Sequence, residues 1–373
     1  MGMVSSLKFD EHAGAVLVNE EFMNPRHRRK LYLDPAQSLL SPDMAEAWDL
    51  EAVYAGCGKP GINQEVIDTV KSELQSRFDR ETKNKKKAKP APSLKDVALL
   101  CAKVLQKIIH RDMNLKLNLF YGFGIDDFNR SYFKNEGKKY EIKQEKVKKK
   151  ANDILHGRYN DRQTGLYKET RAEVFGHDSK YGIAAYHLDI SNGNVGFNME
   201  AYEALGHGKY GLETSLARYL NNVTKPMLEQ GVSHVYGIYE LIRAALLARE
   251  AFHFTGGNFN IVYIDGSSKK HGERYREFVD QQSRLAMHIV MAYETEYISK
   301  ADLLELLEEA LFKGEQRKKV EEKLFSRSSD AQGLDLILRG YKVHEVKEMM
   351  SKRSSKKVRT ATKRSNSKKR RKK

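Results

Sequence analysis

The chain has 373 residues, 40% of them hydrophobic, and a formal net charge of +16 at pH 7. Its two cysteines, Cys57 and Cys101, exclude a disulfide framework and a cysteine-rich zinc site. No apolar run reaches the roughly 18 residues of a membrane span, and the N-terminus lacks the pattern of a secretory signal. We therefore expect a cytoplasmic protein, or a nuclear one if the organism is a eukaryote.

The positive charge is concentrated at the end of the chain. Residues 352–373 contain 13 lysines and arginines and no acidic residue, which leaves 53 basic and 50 acidic side chains for the rest. This composition is typical of a disordered tail. Because Lys352–Lys373 includes no aromatic residue for base stacking, any contact with nucleic acid or another polyanion would be electrostatic. A tail that only adds solubility is the alternative.

Blocks of strands and blocks of helices follow one another along the chain. Apolar patterns and turn residues predict strands at 14–18, 29–34, 50–54, 115–124, 184–190, 194–205 and 258–265. Helical spacing and a capping-box pattern predict helices at 62–78, 93–110, 211–221 and 233–254. Segregated blocks of this kind favour an α+β layered domain over alternating βαβ units.

Two segments lie outside this plan. Residues 126–180 separate strands that would otherwise form a hairpin, and they include Lys134–Lys150, with eight lysines and three acidic residues. Residues 270–351 have mostly helical spacing. The predicted division is a layered domain at 1–268 with the insertion at 126–180, a helical extension at 269–351 and a disordered basic tail at 352–373.

Five short motifs occur in a characteristic order. They are Gly14–Glu20, Ala55–Gly56 before a helix, Ala204–Gly208, Thr255–Gly257 and Asn260–Asp265. In this order the chain resembles a proteasome β-type subunit of the N-terminal-nucleophile (Ntn) hydrolase family, over about residues 5–265 without the insertion. The resemblance implies a four-layer αββα sandwich, with two stacked sheets between two helical layers, and assembly into rings.

The resemblance also implies roles for single residues. Members of this family use the hydroxyl or thiol of their first residue, activated by its own α-amino group. Glu20 falls on the family's aspartate position, and Arg26 is the nearest match to its lysine. Gly56 would supply the N–H that binds the oxyanion, and Thr255 matches a serine before a glycine pair.

The nucleophile position departs from the family pattern. Counting back from Glu20 reaches Val4, and Ser5 would become the first residue only after cleavage behind Val4. The resemblance therefore implies a catalytically degenerate or repurposed assembly subunit, which forms homo-oligomers or joins a proteasome-like ring. An active serine-type peptidase using Ser5 is one alternative, and a nucleic-acid-associated protein tethered by its tail is another.

Simpler interpretations stay open beside these roles. Glu20 and Arg26 would also fit an ordinary surface ion pair, and Gly56 an ordinary turn glycine. The 12 histidines show no metal-ligand spacing with a carboxylate, so we expect neither a metal nor a cofactor.

Overall fold

The computed structural model describes most of the chain, and all structural statements below concern those residues. They are residues 2–19, 36–83, 90–155, 170–189, 194–198, 201–206, 208–222, 233–251 and 259–350. The predicted strand at 29–34 and the basic tail lie outside them. The chain divides into two compact units, residues 1–280 and 281–373.

Two five-stranded antiparallel sheets form the centre of the first unit. Sheet A contains, in spatial order, Tyr202–Gly206 (β10), Met3–Lys8 (β1), Ala13–Asn19 (β2), Phe259–Asp265 (β11) and Tyr275–Phe278 (β12). Sheet B contains Ala36–Ser38 (β3), Leu50–Cys57 (β4), Arg171–Asp178 (β7), Gly182–Asp189 (β8) and Asn194–Phe197 (β9). Strands β1, β3, β7 and β12 were absent from the elements predicted from the sequence, and β7 lies inside the predicted insertion at 126–180.

Helices cover each sheet. The helices Pro60–Lys83 (α2) and Leu94–Tyr121 (α3) pack on each other and against sheet B, with a short helix, Pro42–Trp48 (α1), beside β4. The helices Lys209–Asn222 (α6) and His234–Ala251 (α7) pack on each other and against sheet A. A four-residue helix, His271–Arg274 (α8), leads into β12. The predicted α+β class is confirmed.

The sheets face each other across a core of small apolar side chains. Sheet A contributes Val4, Val16, Val18, Leu205, Val262 and Ile264, and sheet B contributes Ala36, Val53, Ala55, Cys57, Phe175, Ile183 and Ala185. Because side chains alternate along a strand, the intervening residues of each strand point toward the helices instead. The polar groups described below lie in or beside this inter-sheet core.

Two predicted elements are wrong. Residues 115–124 form no strand, because α3 continues to Tyr121 and ends at Gly122, whose φ of 73° closes the helix. The apolar residues of this stretch alternate, yet a helix already begun by the Ser93 capping box continues through them. Residues 194–205 contain two strands, β9 and β10, which belong to different sheets.

The predicted insertion contains a small folded region. It comprises Ile125–Arg130 (α4), the hairpin Tyr132–Asn135 (β5) and Lys138–Glu141 (β6), and Glu145–Leu155 (α5). Its own apolar core is formed by Leu117, Phe123, Ile125, Ile142, Ala151 and Ile154. Because Leu117 belongs to α3, the core of this region packs against that helix.

The second unit is helical. Its helices are Asp280–Glu294 (α9), Lys300–Leu311 (α10), Arg317–Arg327 (α11) and Ala331–Leu338 (α12). Ser299 and Asp302 form a capping box at the start of α10, and Arg327 binds Asp302 and Glu305 at 3.2 and 2.8 Å. The predicted division of the chain into domains stays a prediction.

We predict that Ser93→Ala destabilises the first unit by about 1 kcal/mol, the usual cost of an N-cap hydroxyl. Ser93 Oγ accepts the Asp96 N–H at 3.2 Å, and the Asp96 carboxylate accepts the Ser93 N–H at 2.9 Å. Urea unfolding followed by circular dichroism measures the effect. Ser72→Ala, on the exposed face of α2, is the control, and equal stability of the two variants would contradict the prediction.

Candidate functional site

The structure describes two of the five residues to which the resemblance assigned catalytic roles. Ser5 lies in β1 and Gly56 lies in β4. Glu20, Arg26 and Thr255 lie outside the described residues. The catalytic roles of all five therefore stay predictions, and the structure adds the surroundings of Ser5 and Gly56.

Ser5 is fully buried inside sheet A. It pairs with Leu17 of β2 on one side and Ala204 of β10 on the other, and its side chain is 0% exposed. The alternation along β1 turns Ser5 toward α6 and α7, away from the inter-sheet core that holds Val4. Its Oγ has no hydrogen-bond partner among the described residues. This hydroxyl is out of reach of a substrate.

Gly56 has a packing role that the sequence did not indicate. A Cβ on Gly56 would lie 2.7 Å from the amide of Asn63. That amide accepts the hydroxyl of Tyr54 at 2.9 Å and donates to the carbonyl of Cys57 at 3.4 Å. The glycine therefore leaves room for a buried side chain that ties the end of β4 to α2.

The start of β1 lies beside the end of β4. A Cβ built on Gly2 would lie 3.7 Å from the Asn19 carbonyl oxygen and 3.9 Å from Cys57 Cβ. Counting back from Glu20 reached Val4 as the nucleophile position, and in the structure the hairpin register pairs Val4 with Val18, one residue before Asn19. Burial raises the pKa of the neighbouring Cys57 thiol to about 11, so its reactive thiolate form is disfavoured.

A buried carboxyl group bridges the two sheets. The Ser6 hydroxyl of sheet A donates to Glu173 Oε2 of sheet B at 3.1 Å, and Glu173 is 0% exposed. Burial and the charge of Glu203, opposed by Ser6 and Lys8, together raise the pKa of Glu173 to about 8. The Glu173 carboxyl group is therefore mostly protonated at neutral pH.

A second buried cluster involves Arg274, at the end of α8. Its guanidinium donates to Asp49 at 2.5 Å and to the Ser268 carbonyl at 2.7 Å, and it lies 4.0 Å from Glu51. His271 Nδ1 lies 3.0 Å from Glu51. Burial raises the pKa of Glu51, and the contact with His271 opposes that shift. These contacts tie β4 of sheet B to the segment before β12 of sheet A.

A cleft of about 770 Å³ opens near one end of the sheets, between the β1–β2 and β7–β8 turns. Its polar lining includes Lys8, Asp10, His12, His177, Asp178 and Lys180. Asp178 accepts backbone N–H groups of Leu94, Lys180 and Tyr181, so its carboxylate has structural partners. The ring of His177 rests against Gly266, where a Cβ would lie 2.1 Å from it.

Within the described residues, no group of three His, Cys, Asp or Glu side chains could hold a metal ion.

Comparisons with known proteins give only a distant structural likeness. No family model matches the chain, and no curated protein matches it. One similar solved structure is Anbu (ancestral beta-subunit) from Yersinia bercovieri, with 10% identity and a TM-score of 0.44 over 74% of this chain and 87% of that one. Another is the helical assembly of the Anbu complex from Pseudomonas aeruginosa, with 13% identity and a TM-score of 0.44 over 70% and 81%.

These findings correct the identification made from the sequence. The assignment to the proteasome β-type subunits is wrong, because no family model matches and the similar structures named above are Anbu proteins. At these scores the likeness transfers no activity. In the part of the chain that the structure covers, no helix is long and apolar enough to cross a membrane.

We predict that the wild type becomes less stable as pH rises and that the Glu173→Gln variant does not show this loss. Between pH 4.5 and about 8 the folded chain keeps the Glu173 proton while the unfolded chain releases it, so the free energy of unfolding falls. Above pH 8 the variant should be more stable by on the order of 5 kcal/mol. The groups that influence the pKa of Glu173 are Glu203, Ser6 and Lys8.

Urea unfolding at pH 5, 7 and 9, followed by circular dichroism, tests this prediction. Glu73→Gln, on the exposed face of α2, is the control for loss of a negative charge. Parallel pH profiles for the wild type and Glu173→Gln would contradict the prediction.

Proposed function

We propose that the chain is a catalytically silent assembly subunit. Its first unit would be a four-layer αββα sandwich that builds a homo-oligomer in the cytoplasm. The order of α2 and α3, sheet B, sheet A, then α6 and α7 supports the sandwich. In this proposal the hydroxyl groups of β1 catalyse no reaction, and the chain is assigned to no enzyme family.

The position of Ser5 and Ser6 inside β1 is the observation that carries the proposal. Ser5 is buried on the helix side of sheet A, and the Ser6 hydroxyl is hydrogen-bonded to Glu173 between the sheets. Neither hydroxyl is available to a substrate while β1 stays in the sheet. Cys101 is buried in the core beneath α3, and burial raises its thiol pKa, so it is no better a nucleophile.

Cleavage after Val4, which the peptidase alternative requires, would damage the sandwich. Met3 and Val4 are each 1% exposed, and Val4 pairs with Val18 and Leu205. Removing two buried apolar side chains costs several kcal/mol, at about 1.5–3 kcal/mol each. Release of Ser5 would therefore cost much of the stability of a typical domain.

Exposed apolar side chains on the helices favour assembly through the helical layers. Tyr210 of α6 and Leu247 of α7 are 75% and 42% exposed, and they flank the contact between Gly211 and Ala248. Leu115 and Leu119 lie one helical turn apart on α3 and are 59% and 81% exposed. Clustered exposed apolar side chains of this kind are typical of interfaces between proteins.

A second candidate function is tethering to a polyanion through Lys352–Lys373. The concentration of 13 basic and no acidic residues in this tail favours it. Because the tail lies outside the described residues, this function rests on composition. It is compatible with an assembly role of the folded units.

We predict that the full chain sediments as an oligomer and that Tyr210→Glu with Leu247→Glu shifts it toward the monomer. Two carboxylates at the centre of a buried apolar contact would be costly to desolvate. Sedimentation velocity at micromolar concentration measures the change. Tyr341→Glu, at a 46% exposed tyrosine of the second unit, is the control. A monomeric wild type would contradict the assembly role.

A further inference from the structure

The region after α3 is folded around its own core despite its high lysine content. We call residues 123–155, with α4, β5, β6 and α5, the lysine-rich module. Leu117 of α3 enters its core, and the Asn114 side chain accepts the Ile125 N–H at 2.9 Å. The Phe128 N–H donates to the Gly124 carbonyl at 3.0 Å, and the Ile142 N–H donates to the Ser131 carbonyl at 2.9 Å. The hairpin is therefore held in a fixed position relative to α3.

A row of aromatic rings runs through the module and ends at the surface. Tyr121 stacks on Phe123 with centroids 5.6 Å apart, and Phe123 lies 6.0 Å from Phe133. Phe133 in turn stacks on Tyr140 at 5.4 Å with an interplanar angle of 21°. Tyr140 is 44% exposed, so the row ends in a ring that solvent reaches. A planar ligand stacked on Tyr140 would extend the row.

Lysines lie on both faces of the hairpin that carries this terminal ring. Lys138 lies two residues before Tyr140 on β6 and therefore shares its face of the hairpin. Lys134 and Lys139 pair across the other face, where the Lys139 ammonium lies 4.0 Å from the ring centroid of Tyr132. Of the eight lysines in 134–150, only Lys143 and Lys148 are paired with a carboxylate within the described residues.

We propose that the lysine-rich module binds single-stranded nucleic acid, with an unpaired base stacked on Tyr140 and phosphates at Lys134, Lys138 and Lys139. Positive charge beside an exposed aromatic face is the combination that single strands require, since every base has a π-face and every nucleotide a phosphate. A duplex hides its base faces, and an anionic membrane offers nothing to stack on Tyr140. The inference is independent of the tail and of the assembly role.

The test measures binding of the full chain to a fluorescent oligothymidylate of about 16 nucleotides by anisotropy over a salt series. Lys134→Ala with Lys138→Ala and Lys139→Ala should weaken binding at least about tenfold and reduce the salt slope by about two. The matched control is Lys95→Ala with Lys103→Ala and Lys107→Ala, three exposed positions of α3. It should bind like the wild type.

The aromatic contact is tested separately. Tyr140→Leu keeps an apolar contact with Phe133 but removes the ring, and it should weaken binding between about fivefold and a hundredfold with an unchanged salt slope. Tyr140→Phe should restore the affinity. The proposal is overturned if Tyr140→Leu binds like the wild type, or if the α3 control loses as much affinity as the hairpin triple variant. Binding to vesicles of anionic lipid without binding to the oligonucleotide would also overturn it.

Discussion

The hydrogen bond between Ser6 and Glu173 is the contact on which the interpretation of this fold depends. It joins the two sheets through a carboxyl group that is fully buried beside small apolar side chains. An isolated carboxylate at such a position would be costly, so the group remains protonated to an unusually high pH. The same contact fixes β1 in sheet A with Ser6 inward and Ser5 outward.

The function proposed for the chain follows from this placement. A reactive hydroxyl must reach its substrate, and both hydroxyls of β1 are buried inside the first unit. The cluster around Arg274, Asp49 and Glu51 is similarly internal, because its charges bind each other and the backbone of the segment that leads to β12. The groups at the surface differ from these buried polar groups. Exposed apolar side chains lie on the helices, and lysines lie on both faces of the hairpin that carries Tyr140.

The sequence predicted the α+β class and most of the secondary structure, because long apolar periodicities such as those of α2 and α7 report local structure directly. It failed where the outcome depends on distant contacts. Residues 115–124 have an alternating pattern, but the cap at Ser93 and the module core at Leu117 hold them in a helix. Residues 194–205 contain strands of two different sheets, and no local sequence pattern separates them. The strand β1 was missed because its two serines interrupt the apolar run.

The candidate site depends on distant contacts even more than the fold does, so the sequence predicted less of it. Gly56 could be identified as special from the sequence, yet its reason, the Asn63 side chain, appears only in the fold. Glu173 gave no signal, because residues 171–178 were assigned to the insertion at 126–180 and not to a strand. Its burial arises from the stacking of a second sheet. The motif order that suggested a family came from short patterns, and neither a family model nor a curated protein supports that assignment.

The central claim is that β1 stays intact and that its hydroxyls do no chemistry. Intact-mass spectrometry of the protein purified from cells tests this most directly. The account predicts a mass that includes Met3 and Val4, the two buried residues that precede Ser5 in the strand. A mature chain that begins at Ser5 and hydrolyses peptides would contradict it.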